Sequence, residues 1–170
     1  MTPLQSNLVA ISEIALAKES ENDAFKSFLQ SSEPGEIDQI VFDLNDRISP
    51  KIDCTNCGNC CRAFMINVNE EEANALATHL QMPVDELEEK YIEKGSGGRM
   101  IINTIPCHFL SENRCTIYTH RFSGCREFPH LYQPGFTKRL FSILMYYNTC
   151  PIIFNVVENL KLQTGFTTLR

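Results

Sequence analysis

The chain has 170 residues, of which 43% are hydrophobic, so one compact domain can bury a sizeable core without a disulfide scaffold. Its 15 Lys and Arg against 21 Asp and Glu leave a net charge of −6, which argues against general nucleic-acid binding. No run approaches the ~18 apolar residues of a membrane span, and Glu13 and the late first basic residue, Lys18, do not fit a secretory signal. The expected location is therefore a reducing cytoplasm, where the eight cysteines stay thiols available to metal.

Leu4, Leu8, Ile11, Ala15, Phe25, Phe28 and Leu29 recur at helical spacing, which predicts one long helix or two short ones. Ser31, Ser32, Glu33 and Pro34 supply a start for the next helix, whose stripe is Ile37, Ile40, Val41, Leu44 and Ile48. Pro50 ends it. These helices hold no cysteine, so they are read first as a packing layer and second as a partner-binding surface.

Cys54-Thr55-Asn56-Cys57-Gly58-Asn59-Cys60-Cys61 then puts four thiols into eight residues. The apolar run 63–68 is short enough for a strand, and Asn69 followed by Glu70, Glu71 and Glu72 is a helix-start signal with Ala73, Leu76, Ala77 and Leu80 on the buried face. That position explains the glutamates without catalysis. A second helix is expected from Pro83 through Leu87 and Tyr91 to Lys94, capped by Gly95. Gly95-Ser96-Gly97-Gly98 closes a helix rather than opening one, which rules out a phosphate loop. A strand at 99–105, a hairpin turning at Ser111-Glu112-Asn113 with Cys107 and Cys115 on its two arms, and a tight turn at 124–129 come next. A strand at 139–147 and a last helix after Pro151 complete the reading. The expected fold class is α+β in one domain, with an N-terminal helical segment, 1–50, packed on a cysteine-rich half, 51–165, and the metal near their junction.

Two thiolates two residues apart can turn toward one ion, and the glycine at 58 eases that turn. The pattern CxxCxxC with a remote Cys-Pro matches a cluster-binding layout, so Cys54, Cys57 and Cys60 are candidate ligands with Cys150 as the fourth. Adjacent side chains point to opposite sides of an extended segment, so one of Cys60 and Cys61 can join Cys107, Cys115 and Cys125 instead. One cluster plus a second site, or two four-cysteine sites, both remain open. His108, His120 and His130 are weaker ligand candidates. His79 is read as structural. Residues 95–149 carry six basic side chains (Arg99, Arg114, Arg121, Arg126, Lys138, Arg139) against Glu112 and Glu127, which would offset an anionic metal–thiolate centre.

The blocks CxxCxxCC at 54–61, PCxFL at 106–110, CxIYxxR at 115–121, CRxFP at 125–129 and CP at 150–151 resemble the YkgJ-type cysteine-cluster family, described as a zinc- or iron-chelating domain. The family usually has Arg-Pro where this chain has Arg121-Phe122. The resemblance implies metal ligation by Cys54, Cys57, Cys60, Cys61, Cys107, Cys115, Cys125 and Cys150 and assigns no reaction. Flagellin lysine N-methylase shares the cysteine-rich domain, and that likeness tilts the cofactor toward an iron–sulfur cluster, [4Fe–4S], over zinc. The leading expectation is a metal-binding protein in a redox, sensing or structural role, with a redox or other protein partner. The alternatives are a protein-modifying enzyme related to that methylase, for which no glycine-rich nucleoside-cofactor turn is present, and a zinc-stabilised interaction module.

Overall fold

A computed structural model of the chain describes residues 2–167. In chain order its elements are α1 (Leu8–Ala17), α2 (Glu19–Gln30), α3 (Pro34–Ile48), α4 (Cys54–Cys57), α5 (Asn59–Ala63), β1 (Asn67–Val68), α6 (Glu70–Leu80), α7 (Val84–Tyr91), β2 (Ile92–Lys94), β3 (Met100–Ile102), β4 (Leu110–Ser111), β5 (Arg114–Cys115), α8 (Ser123–Glu127), α9 (Phe136–Leu144) and α10 (Pro151–Gln163). Short 3₁₀ turns lie at Ser49–Lys51 and Tyr118–His120. The fold is α+β, mostly helix with two small antiparallel sheets. No helix among the described residues is long and apolar enough to cross a membrane.

The chain divides into two compact units. The first joins the residues up to Asp53 with those from Pro129 onward, and the second is the continuous stretch Cys54–Phe128. The N-terminal segment assigned from sequence ends at residue 50, three residues before this division. The residues after 128, grouped there with the cysteine half, cluster with the N-terminal helices.

α10 is the centre of the first unit. Every residue from Pro151 to Lys161 except Glu158 is buried, as expected of a helix covered on all sides. It packs against α3 and α1, while α9 packs against α2 and α3. Two asparagines inside α10 hold the extended stretch before α1. The Asn155 amide accepts the Gln5 N–H at 2.9 Å and donates to the Gln5 carbonyl at 2.7 Å, and one turn later Asn159 accepts the Thr2 N–H at 3.0 Å. The asparagines thus supply the partners that an adjacent strand would.

Lys161 is buried at the end of α10 and is bonded to Glu21 at 2.7 Å and Glu158 at 2.8 Å. Lys18 reaches the same two carboxylates, and the Tyr147 hydroxyl donates to Glu158 at 2.8 Å. Burial acts to raise both carboxyls, but the lysine hydrogen bonds and charges outweigh it and hold Glu158 and Glu21 below their ordinary 4.5. Burial acts to lower Lys18, and Glu158 with Glu21 overrides that and holds it above 10.5.

In the second unit β1, β3 and β2 form an antiparallel sheet in that order, with Ile92 opposite Ile102 and Val68 opposite Met100. Its inner face meets Ala73, Leu76 and Ala77 of α6 and Leu87 of α7, and the core continues through Phe109, Ile117 and Phe122. Asn69 and Glu72 close the reciprocal cap of α6 anticipated from sequence, at 2.8 and 3.1 Å.

Several local expectations are corrected. The run 139–147 is not a strand: α9 ends at Leu144 and is followed by turns. Phe136, Leu140, Ile143 and Tyr147 are buried at spacings of four, three and four, a helical period that bulky side chains masked. Asp38 of α3 accepts the Gly135 and Phe136 N–H groups at 2.7 and 2.8 Å and so caps α9 from outside its own sequence. Helix α7 stops at Tyr91, because Ile92–Lys94 pair with β3 instead, and Gly97 and Gly98 at φ of 82° and 77° turn the hairpin. Residues 123–127 form a helical turn, and Cys107 precedes the β4–β5 hairpin rather than lying on its arm.

Removal of one partner from the Lys18, Glu21, Glu158 and Lys161 network leaves a buried ammonium short of carboxylate. Glu158→Ala is expected to destabilise the protein by about 3 kcal/mol in chemical denaturation. Carboxyls held low in the folded state contribute stability above their unfolded pKa and lose it as pH falls through the folded value. Thermal melts followed by helical circular dichroism should therefore drop below about pH 4, and Glu158→Gln should flatten that drop.

Candidate metal centre

The cysteine loop is shaped by a glycine. Gly58 sits at φ of 59°, between α4 and α5, and a Cβ built there would lie 2.8 Å from the Asn113 carbonyl oxygen. The loop can therefore lie against the β4–β5 turn only with glycine at this position. That turn has Glu112 and Asn113 at φ of 45° and 69°, the paired positive values of a two-residue hairpin turn that suits strand twist. Its far arm carries Cys115. The Cys107 N–H donates to the Cys61 carbonyl at 2.8 Å, which ties the two cysteine segments together by backbone. Glu72 extends the α6 cap by accepting the Ser123 N–H at the start of α8, the short helix that presents Cys125.

These constraints gather six sulfurs. Cys54, Cys60, Cys61, Cys107, Cys115 and Cys125 border one cavity of about 110 Å³, whose other walls include Phe64, Ile66, Phe109, Ile117, Phe122, Phe128 and Arg121. All eight cysteines of the chain are thiols, none paired in a disulfide. Among the described residues no three Cys, His, Asp or Glu side chains already close on a common point. Loading with metal thus entails drawing sulfurs inward around it. One water takes about 10–15 Å³ by the same measure, so the space exceeds that of a single small ion.

The thiols differ in acidity for identifiable reasons. A hydrogen bond from the Cys60 thiol, with the charges of Arg62 and Arg121 against the opposing effect of burial, brings Cys61 down to about 7. Burial raises Cys107 and Cys115, against hydrogen bonds from the Phe109 and Ile117 amides respectively. Burial, with the nearby Cys61, Cys107 and Cys115 charges, pushes Cys125 up to about 12. At neutral pH this makes one readily ionised thiol facing three protonated ones. The three raised thiols pack on the hydrophobic core of the unit.

The eight sequence candidates are therefore distributed unequally. Six border the cavity, Cys57 does not, and Cys150 is buried in the first unit at the start of α10. No histidine is among the cavity residues. His108 is bonded to Asn103 at 2.6 Å, and His120 stacks on His79 with ring centroids 3.7 Å apart. Of the six expected basic residues only Arg121 borders the cavity. Lys138 and Arg139 belong to the first unit, where Arg139 donates to the His130 carbonyl at 3.0 Å. Arg62 was overlooked in the sequence because it lies outside the basic island, although its place directly after Cys61 was the available signal.

The donor set fits a thiophilic metal. It consists of sulfur with no carboxylate in the wall, and a buried Arg121 Nε–H without a protein acceptor faces an environment where metal-bound thiolates would be anionic. Residues 53–151 match the model of the CxxCxxCC family, "Putative zinc- or iron-chelating domain", a stretch that contains all eight cysteines. No curated protein and no solved structure matches the chain.

Two outcomes follow from this geometry. Gly58→Ala has to adopt an unfavourable backbone and displace Asn113, and it is expected to cost roughly 1–2 kcal/mol or more in stability, read by melting of the metal-free protein, and to lower metal uptake. Because Cys107, Cys115 and Cys125 hold protons at neutral pH, binding must release them. Apparent Zn²⁺ affinity should rise from about pH 6 to pH 8, and calorimetry in buffers of different ionisation enthalpy should register the released protons.

Proposed function

Because the chain belongs to the CxxCxxCC family of zinc- or iron-chelating domains, we propose that residues 54–128 hold a [4Fe–4S] cluster through Cys61, Cys107, Cys115 and Cys125. The supporting observation is the cavity: thiols from four separate segments border one volume of about 110 Å³, more than a single small ion fills. A cubane held by four thiolates occupies more space than a single Zn²⁺ with four sulfurs at ~2.3 Å, and the volume suits the larger group. The mutual electrostatic influence of Cys61, Cys107, Cys115 and Cys125 supports their grouping. Cys61, the most acidic of the four, would offer a thiolate at neutral pH, and the half-buried Cys107, Cys115 and Cys125 would each give up a proton to hold the group. Cys54 and Cys60 border the same cavity as further thiols, and Cys57 and Cys150 are assigned no ligand role in this reading.

Bound in this way the cluster would supply one-electron chemistry or a metal-dependent fold, serving a redox, sensing or structural role with a protein partner. A reducing compartment such as the cytoplasm keeps the thiols competent. Protein purified anaerobically is expected to be brown and to contain about four irons and four acid-labile sulfides per chain. Cys125→Ser should abolish the chromophore, whereas Cys57→Ser, at a sulfur outside the cavity wall, should retain it. A colourless protein with stoichiometric zinc would transfer the assignment to a zinc site.

A further inference from the structure

Arg121 is the one charged side chain in the wall of the cysteine cavity. Its guanidinium carbon lies 3.7 Å from the centroid of the Tyr118 ring, which holds the group by stacking rather than by an ion pair. Its Nε is buried and has no hydrogen-bond acceptor in the protein. A cationic donor left in that state costs stability, and the arrangement is explained if the acceptor arrives with the metal. Four thiolates around zinc or around an iron–sulfur core carry net negative charge, and the sulfurs of such a centre accept N–H hydrogen bonds. The other nearby cation, Arg62, is committed to the Cys57 carbonyl at 3.2 Å and to Asn113.

We infer that Arg121 is the charge-compensating positioning residue of this centre, its stacked guanidinium donating from Nε to a metal-bound sulfur. The inference rests on the reading of the cavity as the metal site, and it holds whether the metal is zinc or iron. Tyr118 fixes the plane of the donor, and although its ring is exposed the Nε itself is buried, so the hydrogen bond forms where water competes little.

The test uses the full chain with Zn²⁺ alone and Co²⁺ alone as probes, comparing wild type, Arg121→Gln and Arg121→Lys. Arg121→Gln is expected to raise the Zn²⁺ dissociation constant about tenfold or more in chelator competition, with Arg121→Lys intermediate because it keeps the charge but loses the planar donor. The sulfur-to-Co²⁺ charge-transfer band should move to lower energy in Arg121→Gln, since a thiolate that loses a hydrogen bond becomes easier to oxidise. Melting of the metal-free variant should match wild type or exceed it, because a cationic donor with no acceptor is replaced by a neutral amide. A lower metal-free melting temperature with wild-type Zn²⁺ affinity and an unmoved band would mean a packing role only and would overturn the inference while leaving the metal site standing. A wild-type protein that takes up neither ion would overturn both. If Arg121→Gln fails to fold, Arg121→Lys decides alone: wild-type affinity and an unmoved band count against the inference, and weakened binding with a shifted band supports it.

Discussion

The second unit turns on the partial burial of Cys107, Cys115 and Cys125 against its hydrophobic core. A thiol in that position favours its neutral form, because low polarity penalises the thiolate. A bound metal reverses the preference by replacing three protons with one shared positive centre. The same apolar contacts that oppose ionisation in the metal-free chain would exclude water from the metal once it is bound. If metal is bound in this cavity, stability of the unit and occupancy of the cavity are linked in one equilibrium, with the cysteines at the core's edge as its responding groups.

The elements around the cavity secure this arrangement with backbone rather than side-chain bulk. Gly58 admits the Asn113 carbonyl, the Cys61 carbonyl receives the Cys107 amide, and Glu72 spans from α6 to the first turn of α8. Burial opposes ionisation of Glu72 too, and the Ser123 and Asn69 amides overcome it, holding its carboxyl below the ordinary range. Each tie joins segments distant in sequence, so the six cavity sulfurs are positioned by tertiary structure although three of them lie within eight residues of chain. The loop 54–61 alone has no means of bringing Cys115 and Cys125 to Cys61.

Much of the local structure was legible from sequence. Pro34 and the stripe from Ile37 to Ile48 mark α3, and Pro151 marks the start of α10 as expected. The Asn69 and Glu72 pair announces α6 in the way its hydrogen bonds later realise. The metal chemistry was equally visible, since cysteine spacing carries it directly. What escaped depended on distant partners. The helical character of α9 lies in a cap donated by Asp38, nearly a hundred residues earlier, and in a burial period that its aromatic residues obscured. Lys94 and its neighbours carry helical propensity, yet pairing with β3 drew them into a strand.

The order of the units along the chain has a consequence for synthesis. The cysteine unit is one uninterrupted stretch, whereas the helical unit is completed only by α9 and α10, after residue 128. During translation the sulfurs of 54–128 are all available while α1 to α3 still lack α9 and α10, the two helices that pack against α3. A growing chain therefore completes its cysteine unit before it can shelter its first apolar surfaces, so any metal capture by that unit and protection of the nascent helices become separate tasks in time.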